Sequence, residues 1–84
     1  MEATLSQIAG RTVYNHQGIE IGKVSDVIID FDRSLIYGIY IDETNSQLVE
    51  NGAPISIPYR LIKAIGDVIL LKGFPPFIRV SPPK

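Results

Sequence analysis

Residues of a type that could do chemistry are few in this chain of 84 residues: the single histidine His16 with Tyr14 beside it, the aspartates Asp26, Asp30 and Asp32, and the glycines Gly18 and Gly22. A histidine serves as general base when one side chain orients it and a nucleophile lies within hydrogen-bond reach. His16 has only Tyr14 near it in sequence, and its neighbours Asn15, Gln17 and Gly18 are turn formers, so it reads as a solvated turn residue. Three carboxylates would offer hard oxygen ligands to calcium or magnesium. On a strand, however, alternate side chains stand about 7 Å apart, and no loop with the usual calcium spacing surrounds them, so no metal site is assigned. Asp26 is instead expected to accept hydrogen bonds from amides of the glycine turn, and Asp30 and Asp32 to keep an outer face soluble. Gly18-x-x-x-Gly22 precedes a strand pattern, so it offers phosphate no helix N-terminus, and its spacing differs from the nucleotide-binding fingerprints. Gly10, Gly18, Gly22 and Gly66 read as backbone devices for tight turns. The expectation is a protein with no catalytic residue, no cofactor and no metal, hence not an enzyme.

Composition narrows the classes further. The length allows one small domain, and area scaling for 9.3 kDa implies that roughly 63% of the unfolded surface is buried on folding. Apolar residues make up 45% of the chain and cysteine is absent, which excludes a disulfide framework and a thiolate zinc site. Eight basic and nine acidic side chains give a net charge of -1. The cations, among them Arg11, Lys23, Arg33, Arg60, Lys63, Lys72 and Arg79, are scattered singly, whereas nucleic-acid binding draws on clustered ones, so nucleic acid is not expected as a direct ligand. No run approaches the roughly 20 apolar residues that span a bilayer, and the N-terminus has no signal-peptide pattern. A soluble, cytoplasmic protein is expected.

The elements that must position these residues are strands. Leu5 and Ile8 lead in onto the core, and Gly10 turns the chain into a strand at Thr12-Val13-Tyr14. A turn at Asn15–Gly18, with Gly18 at positive φ, feeds a long strand from about Glu20 to Phe31. Val27, Ile29 and Phe31 share one face of that strand, but Val24 falls on the acidic side. A β-bulge between Gly22 and Asp26 would restore Val24 to the core and bend the strand. After a hairpin turn at Asp32-Arg33-Ser34, Leu35 to Ile41 forms a strand in which Gly38 signals close packing or curvature. Asp42 to Pro54 reads as a long polar surface loop. Ile55-Ser56-Ile57 is a strand stopped by Pro58, Tyr59-Arg60-Leu61 a short helical turn, and Ile62–Ile65 and Val68–Lys72 a final hairpin closed by Gly66-Asp67. About six short antiparallel strands with frequent turn signals predict a small all-β barrel over residues 1–72. Residues 73–84 form a separate Pro-rich apolar tail, either docked on the barrel or partner-binding.

The order and spacing of these signals resemble the PRC-barrel domain, in its stand-alone archaeal form. The matching elements are Ile8-x-Gly10-Arg11-x-Val13, Gly18-x-x-Ile21-Gly22-Lys23-Val24-x-Asp26-Val27, Ile57-Pro58 and Ile62-x-x-Ile65-Gly66-Asp67-x-Ile69-Leu70, together spanning residues 5 to 72. The resemblance implies an interaction module. Some stand-alone archaeal members are adaptors in cell division that bind the membrane anchor of the FtsZ ring. The same barrel in the ribosome maturation factor RimM contacts ribosomal protein, which makes a ribosome-associated role the alternative.

The surplus of apolar residues says where a partner would bind. With Val27, Ile29, Leu35, Tyr37, Ile39, Ile41, Val68 and Leu70 taken as the core set, the opposite face carries Ile28, Ile36, Tyr40, Ile69 and Leu71. These five, with Phe74 and Phe77 of the tail, are the candidate partner interface. They are to be covered by the termini, by a second copy in a homodimer, or by a protein partner.

Overall fold

The computed structural model describes residues 8–30, 32–33 and 35–80, and the statements below concern these. Leu5, Phe31, Ser34 and the end of the tail lie outside the described residues. The chain forms β1 (Thr12–Tyr14), β2 (Glu20–Lys23), β3 (Asp26–Asp30), β4 (Leu35–Ile41), β5 (Ile55–Pro58), β6 (Ile62–Ile65) and β7 (Ile69–Leu71). Single 3₁₀ turns at Glu50–Gly52 and Tyr59–Leu61 are the helical elements between them. The fold is all-β.

The strand expected from Glu20 onward is two strands, β2 and β3, in two different sheets. One sheet runs β2-β1-β7-β6 and the other β3-β4-β5. The irregularity required to bring Val24 inward has two parts. Ile21 is an extra residue in the β1–β2 ladder, since Val13 opposes Gly22 and Tyr14 opposes Glu20. Val24 and Ser25 then lie between the two strands, the first still bonded to the β1 side and the second already to β4. Val24 is buried, and the chain bends there to start the second sheet. The 3₁₀ turn at Tyr59–Leu61 carries the chain back from β5 to β6, and a bridge between Gly22 and Thr44 ties the sheets on the other side. This wraps the two sheets around one core in the manner of a small barrel. Pairing is not wholly antiparallel: β1 and β7 run parallel, with Val13 beside Ile69.

That core consists of Ile8, Val13, Ile21, Val24, Ile39, Ile41, Leu48, Val49, Ile57, Ile62, Ile69 and Leu71. Ile39 and Ile41 are where alternation put them. Leu35, Tyr37, Val68 and Leu70, expected inside, are exposed. In β4 the reason is a bulge. Ile28 opposes Gly38 and Ile29 opposes Ile36, so Tyr37 has no partner and the inward parity flips at that point. Ile36 thereby turns onto the core while Leu35 and Tyr37 face out. In β7 the three consecutive apolar residues fit either parity. The parallel neighbour Val13, fully buried, selects Ile69 and Leu71.

The segment from Asp42 to Pro54 also departs from a polar surface loop, because Leu48 and Val49 are buried within it. Asn45 holds it in place. Its backbone amide donates to the Ile21 carbonyl at 2.7 Å, and its carbonyl accepts from Leu48 and Val49 at 2.9 Å. Its side chain donates to the Glu20 carbonyl at 2.9 Å and accepts from the Gln47 amide. Beyond β7 the chain returns to this segment. Ile78 pairs in parallel with Val49, and Phe74 and Ile78 lie against the core.

Candidate functional site

The residues with chemical potential are dispersed. His16 is exposed in the Asn15–Gly18 turn, beside a shallow depression bordered by Lys63, Leu70 and Lys72, and Asp26 does not reach it. Tyr14 is half-buried on β1. Asp26 and Asp30 occupy opposite ends of β3, about 13 Å apart at the usual rise per strand residue. Asp30 shapes the β3–β4 turn, where Oδ1 accepts from the amides of Asp32 at 3.1 Å and Arg33 at 3.2 Å. Its Oδ2 sits 3.8 Å from Arg33 Nε, an exposed pair of small energetic weight. Among the described residues no group of three or more histidines or carboxylates is placed to hold a metal ion.

The task expected of Asp26 belongs to another residue. Asp26 Oδ1 accepts from the adjacent Val27 amide at 2.8 Å. The glycine turn is organised by Asn15, which is 4% exposed and whose Oδ1 accepts from the amides of Gln17 and Ile19, each at 2.9 Å. Asn15 sits inside the turn, whereas Asp26 lies on the other side of the bend, in the second sheet. An Asx-type turn was legible as Asn15 three residues before Gly18.

The remaining signature residues serve the backbone. Gly10 and Gly18 have φ of 86° and 79°, the left-handed region that favours glycine. At Gly22 a Cβ would stand 2.6 Å from the Glu43 carbonyl oxygen and 2.7 Å from Ile41 Cγ2, so the strand crossing requires glycine. Arg11 Nη1 donates to the carbonyl of Gly66, joining the start of β1 to the β6–β7 turn in which Asp67 is exposed. Lys23, at the exposed end of β2, borders an open polar groove of about 410 Å³ with Glu20, Ser25, Asp42 and Glu43. Pro58 ends β5 opposite Gly38.

What the structure brings together is an apolar outer surface on the sheet β3-β4-β5. The ladder aligns Ile28, Gly38 and Pro58 in one row and Asp26, Tyr40 and Ser56 in the next. A Cβ at Gly38 would run into the Ile57 carbonyl oxygen, so β5 leaves no room for one and the row has no side chain at its centre. At one end of this face stand Leu35, Tyr37 and Tyr59, 49%, 60% and 50% exposed. Tyr59 belongs to the 3₁₀ turn that directly follows Pro58. Charged residues lie along the margins, Asp26 and Asp42 toward one end and Asp30 with Arg33 toward the other, where Arg60 follows Tyr59.

The expected interface is therefore corrected in part. Ile28 and Tyr40 are half-buried on this face. Ile36 turns inward against the core, and Ile69 and Leu71 are core residues, 0% and 1% exposed. Phe74 packs on the core, while Phe77 is exposed on the tail. Leu35, Tyr37 and Tyr59 were missed as surface residues. The signal available was Tyr37-Gly38, an aromatic next to a glycine that disturbs the alternation of β4.

Comparison with known proteins agrees with this architecture. The family model described as the PRC-barrel domain matches residues 1–75. The chain is also similar to the uncharacterized protein MJ1118 of Methanocaldococcus jannaschii, being 30% identical to it over 63 residues, which cover 73% of this chain and 71% of that protein. No helix among the described residues is long and apolar enough to cross a membrane.

Proposed function

The chain belongs to the PRC-barrel domain family, and from that membership we propose that it acts as a non-enzymatic protein-binding module working in the cytoplasm. The observation that supports this reading is the exposure of Leu35, Tyr37 and Tyr59 together at one end of the β3-β4-β5 face. Tyrosine is favoured at interface centres because its rigid ring covers a large area and its hydroxyl tolerates partial solvation. Charges of both signs at its margins, Asp26 and Asp42 at one end and Arg33 and Arg60 at the other, would set the orientation of a partner around an apolar contact.

The finer proposal is an adaptor in archaeal cell division, binding the membrane anchor of the FtsZ ring. It rests on family resemblance, with the archaeal origin of the similar protein in agreement. Purifying the tagged chain from its host and titrating recovered proteins by calorimetry tests both levels. A stoichiometric protein partner whose binding is lost in the Tyr37→Ser, Tyr59→Ser double variant supports the module. Recovery of no such protein, or binding untouched by the double variant, removes it. A division protein among the partners supports the finer proposal. Co-sedimentation with ribosomal subunits at low salt, lost as salt rises, would transfer the role to the ribosome.

A further inference from the structure

The tail and the loop it covers form a second element of the surface, distinct from the outer sheet face. Two main-chain hydrogen bonds define it: the Ile78 amide donates to the Leu48 carbonyl and the Glu50 amide to the Ile78 carbonyl, both at 2.8 Å. The Val80 amide adds a bond to Glu50 Oε1 at 3.1 Å. Phe74 and Ile78, four residues apart, turn onto the core, while Phe77, Arg79 and Val80 face outward. Pro75 and Pro76 between the two anchors hold the segment extended and remove two donors, so few backbone groups need partners. The last backbone bond before the tail is Lys72 amide to Leu61 carbonyl, and Gly73 follows with open space where a Cβ would stand.

These features describe a bound extended peptide that happens to be covalently attached. We propose that the seat of the tail, the edge of Leu48, Val49 and Glu50 with the adjoining core surface, is a receptor site for extended, proline-containing segments with apolar residues four apart, and that residues 73–80 occupy it as a tethered competitor. The occupant's class is read from the segment now seated there: one parallel bridge, two apolar anchors and a pair of prolines between them. Recognition by main-chain pairing plus alternate side-chain anchors is a general mode of peptide capture. A tether this short gives the attached tail an effective concentration in the millimolar range, so a partner segment competes only when it binds more tightly or when the tail is loosened. The proposal holds whether or not the β3-β4-β5 face binds a protein.

The test uses the full chain and a fluorescent synthetic octapeptide of residues 73–80. Wild type is compared with the full-length Phe74→Ala, Ile78→Ser variant by polarisation, with circular dichroism confirming that the variant is folded. Binding at least tenfold tighter to the variant than to wild type is expected. Equal affinity, or no binding by the folded variant, overturns the proposal. Native-state hydrogen exchange on wild type provides an arm independent of any substitution. The amides of Ile78 and Glu50 are expected to exchange at least a hundredfold faster than those of Val13 and Ile69, through opening of the tail alone. Exchange of all four at one common rate would show that the tail does not open separately, and the proposal fails.

Discussion

Val24 and Ser25 are neighbours in the chain whose amides serve different sheets. The Val24 amide donates to the Arg11 carbonyl at 3.0 Å, beside β1, and the Ser25 amide donates to the Tyr40 carbonyl of β4 at 2.8 Å. One peptide unit thus carries the corner of the barrel. The Gly10 amide returns a bond to the Val24 carbonyl at 2.8 Å, and Ser25 Oγ accepts from the Asp42 amide at 2.9 Å, so the corner is fastened on both sides. Gly10, Gly22 and Asp26 of the family pattern all lie within a few residues of this corner or bond to it, which gives the pattern an architectural meaning.

The close approach of Gly22 to Glu43 predicts a large effect from a small change. Gly22→Ala places a Cβ against backbone and against Ile41, and should destabilise the domain by about 1–3 kcal/mol through overpacking. Gly18→Ala meets open space and only the strain of its positive φ, about 1 kcal/mol. Urea denaturation of the two variants should therefore place the Gly22 midpoint below the Gly18 one.

Asn15 should be the most sensitive polar side chain of the glycine turn. Asn15→Ala leaves the Gln17 and Ile19 amides without their acceptor in a part-buried site and should cost about 1–3 kcal/mol. Asn15→Asp keeps the acceptor oxygen and should lose less. Asp26→Ala, by contrast, removes a bond to an exposed amide and should change stability by under about 1 kcal/mol. Denaturation midpoints at unchanged slope measure all three.

Strand parity in β7 is open to a direct test. Ile69→Ala empties a fully buried position and should cost about 2–5 kcal/mol. Leu70→Ala alters a residue that is 38% exposed and should cost under about 1 kcal/mol. The reverse order in thermal melts would mean that the strand presents its other face to the core.

On the outer sheet face, Tyr37→Ser and Tyr59→Ser should leave stability within about 0.5 kcal/mol, since both rings are half or more exposed. Each should nevertheless weaken protein partner binding by at least about 1 kcal/mol, roughly fivefold, when measured by calorimetry. A loss of folding in either variant would reassign these rings from recognition to structure.

Much of this was written in local residue types. The Gly18 turn, the hairpin at Gly66-Asp67, the 3₁₀ turn at Tyr59–Leu61 and the strand at Ile55 follow from turn chemistry and period-two alternation, which act over a few residues. Val24 out of register told of a bend between Gly22 and Asp26. What remained hidden was where parity changes. β4 is apolar on both faces, so Leu35-Ile36-Tyr37 carries no preference for either side until β3 is laid against it and Tyr37 is squeezed out of the ladder. Ile69-Leu70-Leu71 is similarly silent until Val13 arrives from more than fifty residues away. Leu48 and Val49 looked like loop residues because their cover, Ile78, comes from the far end of the chain.

The division between the two sources of information follows from this. Sequence alone determined the class of the protein, the positions of its turns, its family pattern and the scatter of its titratable groups, because each depends on residue type and short spacing. Tertiary structure decided the bulge at Tyr37, the burial of Ile69 and Leu71, the exposure of Leu35, Tyr37 and Tyr59, and the seat of Phe74 and Ile78 on the core. Those depend on which strand becomes the neighbour of which, and in strands apolar on both faces only the neighbour breaks the tie.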